Sequence, residues 1–375
     1  MQTQRIAIVL PDLMPPAGAE RLAMTIAEDQ LARGYRVDLV LLNEEHDFTE
    51  IVPPAVRVII LGARKLRDSM LPLMRYLKRE KPRTVLASMW PLTSIVTVAI
   101  RLAGVKARVV VSDHNPLSIQ YAKWGFNYRL VLSATIRLTY GMATARVAVS
   151  SGVAENLASL SGLPRDVFDV IHNPISLKCA TDLERQDAEN VWQGWNGKRI
   201  ITFGRLKAQK NHKLLIGAFR RVLERCDARL LIFGTGELEQ ETQAFIDNSG
   251  LTGKVVLAGY VDSPRAYYES ADLFVLSSDY EGFGNVIVEA MTAGLPIVST
   301  DCPFGPREIL DYGRYGKLVR PGDEIALAEG IVAALDEPYD SEILKTRAAA
   351  IAGQQSLEKY SMLLHGTAGS TWNEA

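Results

Sequence analysis

Two carboxylates eight positions apart mark the stretch of this chain best equipped for chemistry. Residues 279–291 read Asp-Tyr-Glu-Gly-Phe-Gly-Asn-Val-Ile-Val-Glu-Ala-Met. Glu281 sits in a glycine-rich turn, and Glu289 falls within the helix that the following apolar pattern predicts. Gly282, Phe283 and Gly284 join the turn to the helix, and the two glycines leave backbone amides uncovered at its start. A helix start with free amides and the positive end of the dipole holds anionic or hydroxyl-rich ligands. Carboxylates at such a place repel phosphate and accept hydrogen bonds from hydroxyls. The guest implied is both anionic and sugar-like, a description that a nucleotide sugar meets.

The other candidates also follow strand-like runs. Gly-Arg-Leu-Lys-Ala-Gln-Lys-Asn at 204–211 comes after the run 198–203. Arg205 and Lys210 lie five apart in one loop. Either both turn toward one diphosphate, the arginine as a fork of donors and the lysine as a point charge, or both are ordinary solvated cations. Gly234 and Gly236 lie in Phe-Gly-Thr-Gly-Glu at 233–237. This Gly-x-Gly lacks the third glycine of a dinucleotide fingerprint, and it suits either a tight turn or a nucleotide close to the backbone. At 300–309, Thr300 and Pro306 fit a phosphate-binding helix start or a plain capped helix. In the first half, Gly18 within Pro-Pro-Ala-Gly-Ala-Glu (15–20) lets the backbone approach a ligand. His114, in Ser-Asp-His-Asn at 112–115, ends a strand and either touches a reacting sugar or is structural. His172 reads as structural. Asp-x-Asp, metal-ligand spacings, Gly-x-Ser-x-Gly and the phosphate-binding P-loop are all missing. A diphosphate leaving group would then rely on Arg205, Lys210 and helix amides.

The elements that must hold these residues follow an alternating rhythm. The chain has 375 residues, long for one core, with 47% hydrophobic and 7% aromatic residues, as in an ordinary α/β protein. Short β-branched runs at 6–10, 37–42, 56–61, 84–88, 109–111, 147–150 and 169–172 alternate with helical patterns at 19–33, 69–80, 92–102 and 128–140. A second series of runs lies at 198–203, 229–233, 255–258, 273–276, 296–300 and 316–319. Its helices fall at 212–225, 238–248, 264–270, 285–293 and 324–335. The rhythm predicts two Rossmann-like parallel sheets facing an interdomain cleft, with ligands beyond the carboxyl ends of the strands. Residues 1–175 form the expected acceptor-binding domain, and the polar stretch 176–197 a hinge or linker. Residues 198–355 form the expected nucleotide-sugar-binding domain, with 356–375 as a tail.

The net charge of −1 gives no global field for nucleic acid. Between Arg64 and Arg146, however, fifteen basic residues face three acids, Asp68, Glu80 and Asp113. Lys78, Arg79, Lys81 and Arg83 cluster beside Met70, Leu71, Leu73, Met74 and Leu77. That pattern fits either a surface resting on an anionic membrane or a solvated helix face over a buried stripe. Three scattered cysteines, Cys179, Cys226 and Cys302, point to a reducing cytoplasm, and the first residues read as a core strand instead of a signal peptide. The most apolar stretch, 84–104, is interrupted by Pro91 and Arg101 and reads as strand plus helix.

In their order and spacing these motifs resemble the retaining glycosyltransferases of family 4, which have the GT-B fold, and above all bacterial enzymes of lipopolysaccharide, capsule or undecaprenyl-linked glycan synthesis. The resemblance runs from Gly18-Ala-Glu through Gly204-Arg205, Lys210, Gly234-Thr-Gly236 and the Glu281/Glu289 pair to Gly305-Pro-Arg-Glu. It implies that Arg205, Lys210 and Gly18 bind the donor diphosphate and that Glu289 holds the ribose. Glu281 with Gly282, Phe283 and Gly284 would hold the donor sugar, which His114 also contacts. Gly234 and Gly236 would line the nucleotide. It further implies metal-independent transfer from a nucleotide donor, expected to be a UDP-sugar, to a membrane-associated glycan or lipid-linked acceptor, and a last helix that returns to the first domain. One departure is Ala17, where many relatives carry a second glycine. The rival readings are a nucleotide-sugar epimerase or hydrolase of the same fold, a dinucleotide-dependent oxidoreductase and a non-catalytic binder of nucleotide sugars.

Overall fold

The structure, a computed structural model, describes residues 4–13, 18–43, 52–175 and 178–367. Pro15, Pro16 and Ala17 of the first expected ligand loop lie outside the described residues. By its internal contacts the chain divides into two compact units, Met1–Pro174 with Gln354–Ala375, and Ile175–Gly353.

The N-terminal unit is built on seven parallel strands: β1 (Arg5–Leu10), β2 (Arg36–Leu41), β3 (Arg57–Ile60), β4 (Thr84–Ser88), β5 (Arg108–Asp113), β6 (Ala145–Ala148) and β7 (Asp169–Val170). Their order is β3-β2-β1-β4-β5-β6-β7. β4 is buried along its whole length. Strands covered on both faces need continuous apolar runs, which is why Val109-Val-Val111 and Ile6-Ala-Ile-Val-Leu10 carry almost no polar side chains. In register, Ile8 of β1 lies between Leu39 of β2 and Leu86 of β4.

The C-terminal unit has six parallel strands: β8 (Lys198–Phe203), β9 (Ala228–Phe233), β10 (Val255–Gly259), β11 (Leu273–Leu276), β12 (Ile297–Thr300) and β13 (Lys317–Val319). Their order is β10-β9-β8-β11-β12-β13. In each sheet the order reverses direction beside its first strand, at β1/β4 and at β8/β11. Loops on either side of such a switch point diverge and leave room for a ligand at the carboxyl edge. The core of this unit joins Leu230, Ile232, Val275 and Val298 of the sheet to Leu215, Phe219 and Ile331 of its helices.

One finding differs from the sequence expectations, and a second bears on an alternative left open there. Much of the polar stretch 176–197 is the helix Asp182–Val191, opened by a reciprocal capping box between Thr181 and Glu184. Ala188 and Trp192 are its buried contacts, and the Trp192 indole donates to the Ser270 hydroxyl at 2.9 Å. Its polar residues face solvent, which gives the sequence its linker-like look. In the basic segment, the helix Met70–Glu80 buries Leu73, Tyr76 and Leu77 in the core. Its cations therefore lie on the outer side of a buried stripe.

The helix Gln354–His365 packs into the N-terminal core, where Tyr360 and Leu364 are fully buried among Ile6, Leu22, Leu86 and Val110. The Thr84 hydroxyl donates to the Leu364 carbonyl at 2.7 Å, and the His365 ring stacks on Tyr35 at 4.1 Å. Leu364→Ala is expected to destabilise this unit by about 2–5 kcal/mol, since it leaves a cavity in a closed core. Amide hydrogen exchange should then speed up in β1 and β4 and keep its original protection in β8 and β9.

Candidate functional site

The C-terminal unit collects its candidates on four loops, each leaving the carboxyl end of a strand. These are 204–211 after β8, 234–237 after β9, 277–284 after β11 and 301–305 after β12. The loop after β8 folds back through a short 3₁₀ turn at Ala208–Lys210. Lys210 is thereby aimed at Glu281, with Nζ 2.7 Å from Oε1. The same carboxylate oxygen accepts a 2.6 Å hydrogen bond from the Ser278 hydroxyl. Glu281 is buried, so its charge is held by these donors in place of water.

Further bonds lace the loops together. The Ser277 hydroxyl donates to the Lys210 carbonyl at 2.9 Å, and the Gln209 amide donates to the Tyr280 carbonyl at 2.8 Å. The Glu281 amide donates to the Pro303 carbonyl at 2.8 Å. Three of the four loops are in this way fixed to one another through main-chain groups. The Thr300 hydroxyl, read from sequence as a possible phosphate ligand, donates instead to the Ser278 carbonyl at 2.6 Å and braces the Glu281 turn.

Glu289 is buried in the helix Asn285–Thr292, where its Oε2 accepts from the Tyr268 hydroxyl at 3.0 Å. Tyr268 packs on Phe203 at 4.5 Å, and Phe203 stacks on Phe233 at the same distance. An aromatic wall at the ends of β8 and β9 thus carries the second carboxylate. Gly284 begins this helix at φ 102°, in the left-handed region that glycine adopts freely, and no side chain caps the first turn.

The glycines after β9 have a packing reason of their own. A Cβ on Gly234 would stand 2.1 Å from the Gly204 carbonyl oxygen, and one on Gly236 would stand 2.5 Å from that of Leu206. The loops after β8 and β9 touch backbone to backbone there, joined by the bond from the Leu206 amide to the Thr235 carbonyl at 2.9 Å.

The electrostatics reveal a residue that motif reading missed. Lys207 is half-buried. Burial, with the positive Lys210 and Arg205 nearby, pulls its ammonium down to about 8, opposed by Glu281 and Glu237. Three cations on one loop therefore share a small volume, with Arg205 exposed and Lys207 and Lys210 partly enclosed. Tyr268, Ser277 and Ser278 were also missed. A basic residue at every second or third position of 205–210 was the available signal for Lys207, whereas Tyr268 offered none, since it comes from an element distant in sequence. Next to the site, Cys302 is buried, and that burial together with Glu281 pushes its thiol up to about 12, which leaves it inert.

Gly18 and His114 belong to the N-terminal unit. Gly18 is the first residue of the helix Gly18–Ala32, directly after the undescribed loop. His114 follows β5, with Nε2 3.4 Å from the Ser112 hydroxyl and Nδ1 buried without a hydrogen-bond partner. Burial pulls the imidazole down to about 4, so it is neutral near pH 7. The preceding Asp113 is buried, and its carboxylate accepts from the Tyr140 hydroxyl and from the Trp90 amide, which fixes the end of β5. Among the described residues, no group of three or more His, Cys, Asp or Glu side chains is arranged to hold a metal ion. No helix among them is long and apolar enough to cross a membrane.

Two family models match the chain in succession: "Glycosyltransferase Family 4" over residues 16–178 and "Glycosyl transferases group 1" over residues 197–337. The chain is 28% identical over 343 residues to the N-acetylgalactosamine-N,N'-diacetylbacillosaminyl-diphospho-undecaprenol 4-alpha-N-acetylgalactosaminyltransferase of Campylobacter jejuni, covering 88% of this chain and 90% of that protein. It is 27% identical over 321 residues to the amylovoran biosynthesis glycosyltransferase AmsD of Erwinia amylovora, covering 83% and 85%. Among solved structures, Anabaena Alr3699/HepE in complex with UDP-glucose superposes with a TM-score of 0.78 at 21% identity, over 97% of this chain and 98% of that one. The likeness extends through both sheets, so the fold is GT-B. With an N-terminal and a C-terminal model each matched in its own half, and relatives aligned along almost its whole length, the chain belongs to glycosyltransferase family 4.

Proposed function

We propose that this glycosyltransferase moves a hexose or related sugar from a UDP-sugar to a lipid-linked or membrane-associated glycan acceptor, with retention of anomeric configuration. The observation that carries the reading is the contact between Lys210 and Glu281, beside Arg205 and Lys207, at the carboxyl edge of a parallel sheet. Cations there meet a pyrophosphate, and a carboxylate held in place by Ser278 and Lys210 accepts hydrogen bonds from sugar hydroxyls. Glu289, set against Tyr268, takes the ribose hydroxyls, and Gly282, Phe283 and Gly284 lie along the sugar. The family pattern assigns Gly18 to the diphosphate and His114 to the transferred sugar. A neutral imidazole suits that role, since a protonated one would oppose the positive charge that develops on the ring. The donor and acceptor classes are supported by relatives: the Anabaena structure holds UDP-glucose, and the Campylobacter enzyme is named for a diphospho-undecaprenol acceptor.

As the bond from the anomeric carbon to the diphosphate breaks, negative charge grows on the leaving oxygen. Arg205, Lys207 and Lys210 are already in place to neutralise it, which lowers the barrier without reorganisation. The acceptor hydroxyl attacks from the face that the diphosphate leaves, and the departing phosphate takes its proton.

A panel of nucleotide sugars, followed by nucleotide release with and without a lipid extract as acceptor, tests the reading. UDP release from one donor, stimulated by the extract, is the expected result. Equal release without acceptor would identify a hydrolase, and interconversion of sugars without release an epimerase.

Glu281→Gln keeps the size of the side chain and removes its charge. It is expected to lower kcat by roughly 10²-fold or more, and the thermal unfolding midpoint with it, because Lys210 is left enclosed without its counter-charge. Lys210→Ala is expected to lower activity and also stability, because it leaves the buried Glu281 carboxylate without its counter-charge. Lys207 adds a pH dependence. As pH rises through about 8, the free enzyme loses this charge and its grip on the diphosphate weakens. The donor KM should therefore climb on the alkaline side, while kcat at saturation changes less, because a bound anion holds the proton on Lys207. In Lys207→Gln the KM should be raised at neutral pH and that climb should vanish.

A further inference from the structure

The aromatic wall behind Glu289 is more polar than its packing requires. Phe203 ends β8, Phe233 ends β9, Phe274 lies in β11 and Tyr268 comes from the short helix Arg265–Glu269. All of these rings are buried, and Tyr268 lies 4.5 Å from Phe203 and 6.0 Å from Phe274. Of the four, only Tyr268 has a hydroxyl, and that hydroxyl is the group that meets the carboxylate. It stands 3.0 Å from Glu289 Oε2 and 3.5 Å from the Val286 carbonyl oxygen. Its single proton goes to the nearer, charged acceptor. A phenylalanine in the same place would fill the wall with the same ring.

The helix that carries Tyr268 is held from two sides. Arg265 donates to the Thr292 carbonyl at 3.0 Å, at the last residue of the helix Asn285–Thr292 that bears Glu289. On the other side the Ser270 hydroxyl, which accepts from the Trp192 indole, donates to the Tyr267 carbonyl at 3.0 Å. Ala266 and Tyr267 pack there against Ala180 and Ala188 of the segment that leads into and forms the helix Asp182–Val191. A ring packed this closely keeps its hydroxyl in one place, and the carboxylate that accepts from it is held with it. An unrestrained glutamate side chain spreads over several rotamers, all but one of which are given up when a ligand is bound. The fold alone asks for none of this. A buried charge opposes folding, and an apolar pair of similar size would join the two helices as well.

We propose that Tyr268 is a positioning residue that makes the donor site select ribonucleotides over their deoxy counterparts. By holding Oε2 it turns the Glu289 carboxylate toward the ribose before the donor arrives, so the ribose hydroxyls meet an acceptor that is already oriented. Tyr268 acts through Glu289 and leaves the contacts of Arg205, Lys210 and Glu281 with the rest of the donor as they are. A nucleotide without ribose hydroxyls gives the carboxylate nothing to accept, and the contribution of Tyr268 disappears with them. The inference rests on the assignment of Glu289 to the ribose in the proposed donor site.

Calorimetric titration of the full chain with UDP, and with dideoxy-UDP, which lacks both ribose hydroxyls, tests it without any acceptor. The original chain should bind UDP more tightly than dideoxy-UDP. Tyr268→Phe should weaken UDP binding by about tenfold, as the loss of a hydrogen bond to a charged group does, and dideoxy-UDP binding by less than about twofold. In Glu289→Ala the preference for UDP should be gone, and adding Tyr268→Phe to that variant should change neither affinity further. Phe274→Leu loosens the same wall and keeps the hydroxyl. It should lower the unfolding midpoint and leave the ratio of the two affinities as in the original chain. Circular dichroism checks that each variant is folded. The proposal is overturned if Tyr268→Phe binds UDP as the original chain does, if it weakens both nucleotides equally, or if its effect persists in Glu289→Ala. An original chain that binds both nucleotides equally well would remove the ribose role of Glu289 and this inference with it. An original chain that binds dideoxy-UDP and UDP not at all would overturn the donor reading itself.

Discussion

The Lys210–Glu281 ion pair is the interaction on which the rest of the C-terminal unit's working edge depends. Both partners are largely removed from water. Enclosing two charges gains little net stability, because lost hydration offsets most of their attraction, and apolar side chains of similar size would serve the fold as well. Breaking such a pair, in contrast, costs on the order of 3–5 kcal/mol. The surroundings are built to keep it in place: Ser278 holds the carboxylate, Ser277 holds the lysine main chain, and the Glu281 amide reaches the loop after β12. The carboxylate is thereby oriented before any ligand arrives, so no ordering is left to be done on binding.

The same pair only partly satisfies its neighbourhood. Glu281 and Glu237 are set against Lys210, Lys207 and Arg205, and burial first, then the repulsion of Lys210 and Arg205, makes Lys207 hold its proton less firmly than a free lysine does. On the proposed function, a pyrophosphate with one charge on each phosphate would relieve that repulsion as it binds, and affinity would come from removal of an unfavourable arrangement as well as from new hydrogen bonds. Burial also keeps His212, next to Lys210, deprotonated, which prevents a fourth cation from joining the group at neutral pH.

Much of this was readable in the sequence because parallel sheets follow strict rules. Continuous β-branched runs separated by helical periods permit few other arrangements, and chemistry falls at the carboxyl ends of strands. Glu281, Lys210 and Arg205 were accordingly expected at that edge, and they lie on the loops that leave it. What escaped has physical reasons. Lys207 resembles any loop lysine until the fold encloses it. Tyr268 meets Glu289 across the fold, from a separate helix. The helix Asp182–Val191 was passed over because nearly all of its length is solvated, although Thr181 and Glu184 spell out its cap. Gly234 and Gly236 stand where expected for a second cause: two loops approach so closely that any side chain would collide with a carbonyl.

The N-terminal unit is discontinuous along the chain, interrupted between Pro174 and Gln354 by the whole of its companion. During synthesis the ribosome delivers seven strands first, then an entire second unit, and only at the end the helix that contributes Tyr360 and Leu364. The inserted unit holds all of its own strands and can close as soon as it emerges. Its elder neighbour must wait, with part of its sheet uncovered, until translation is almost complete. A late frameshift or clipped terminus would therefore injure the half of the protein that was made first.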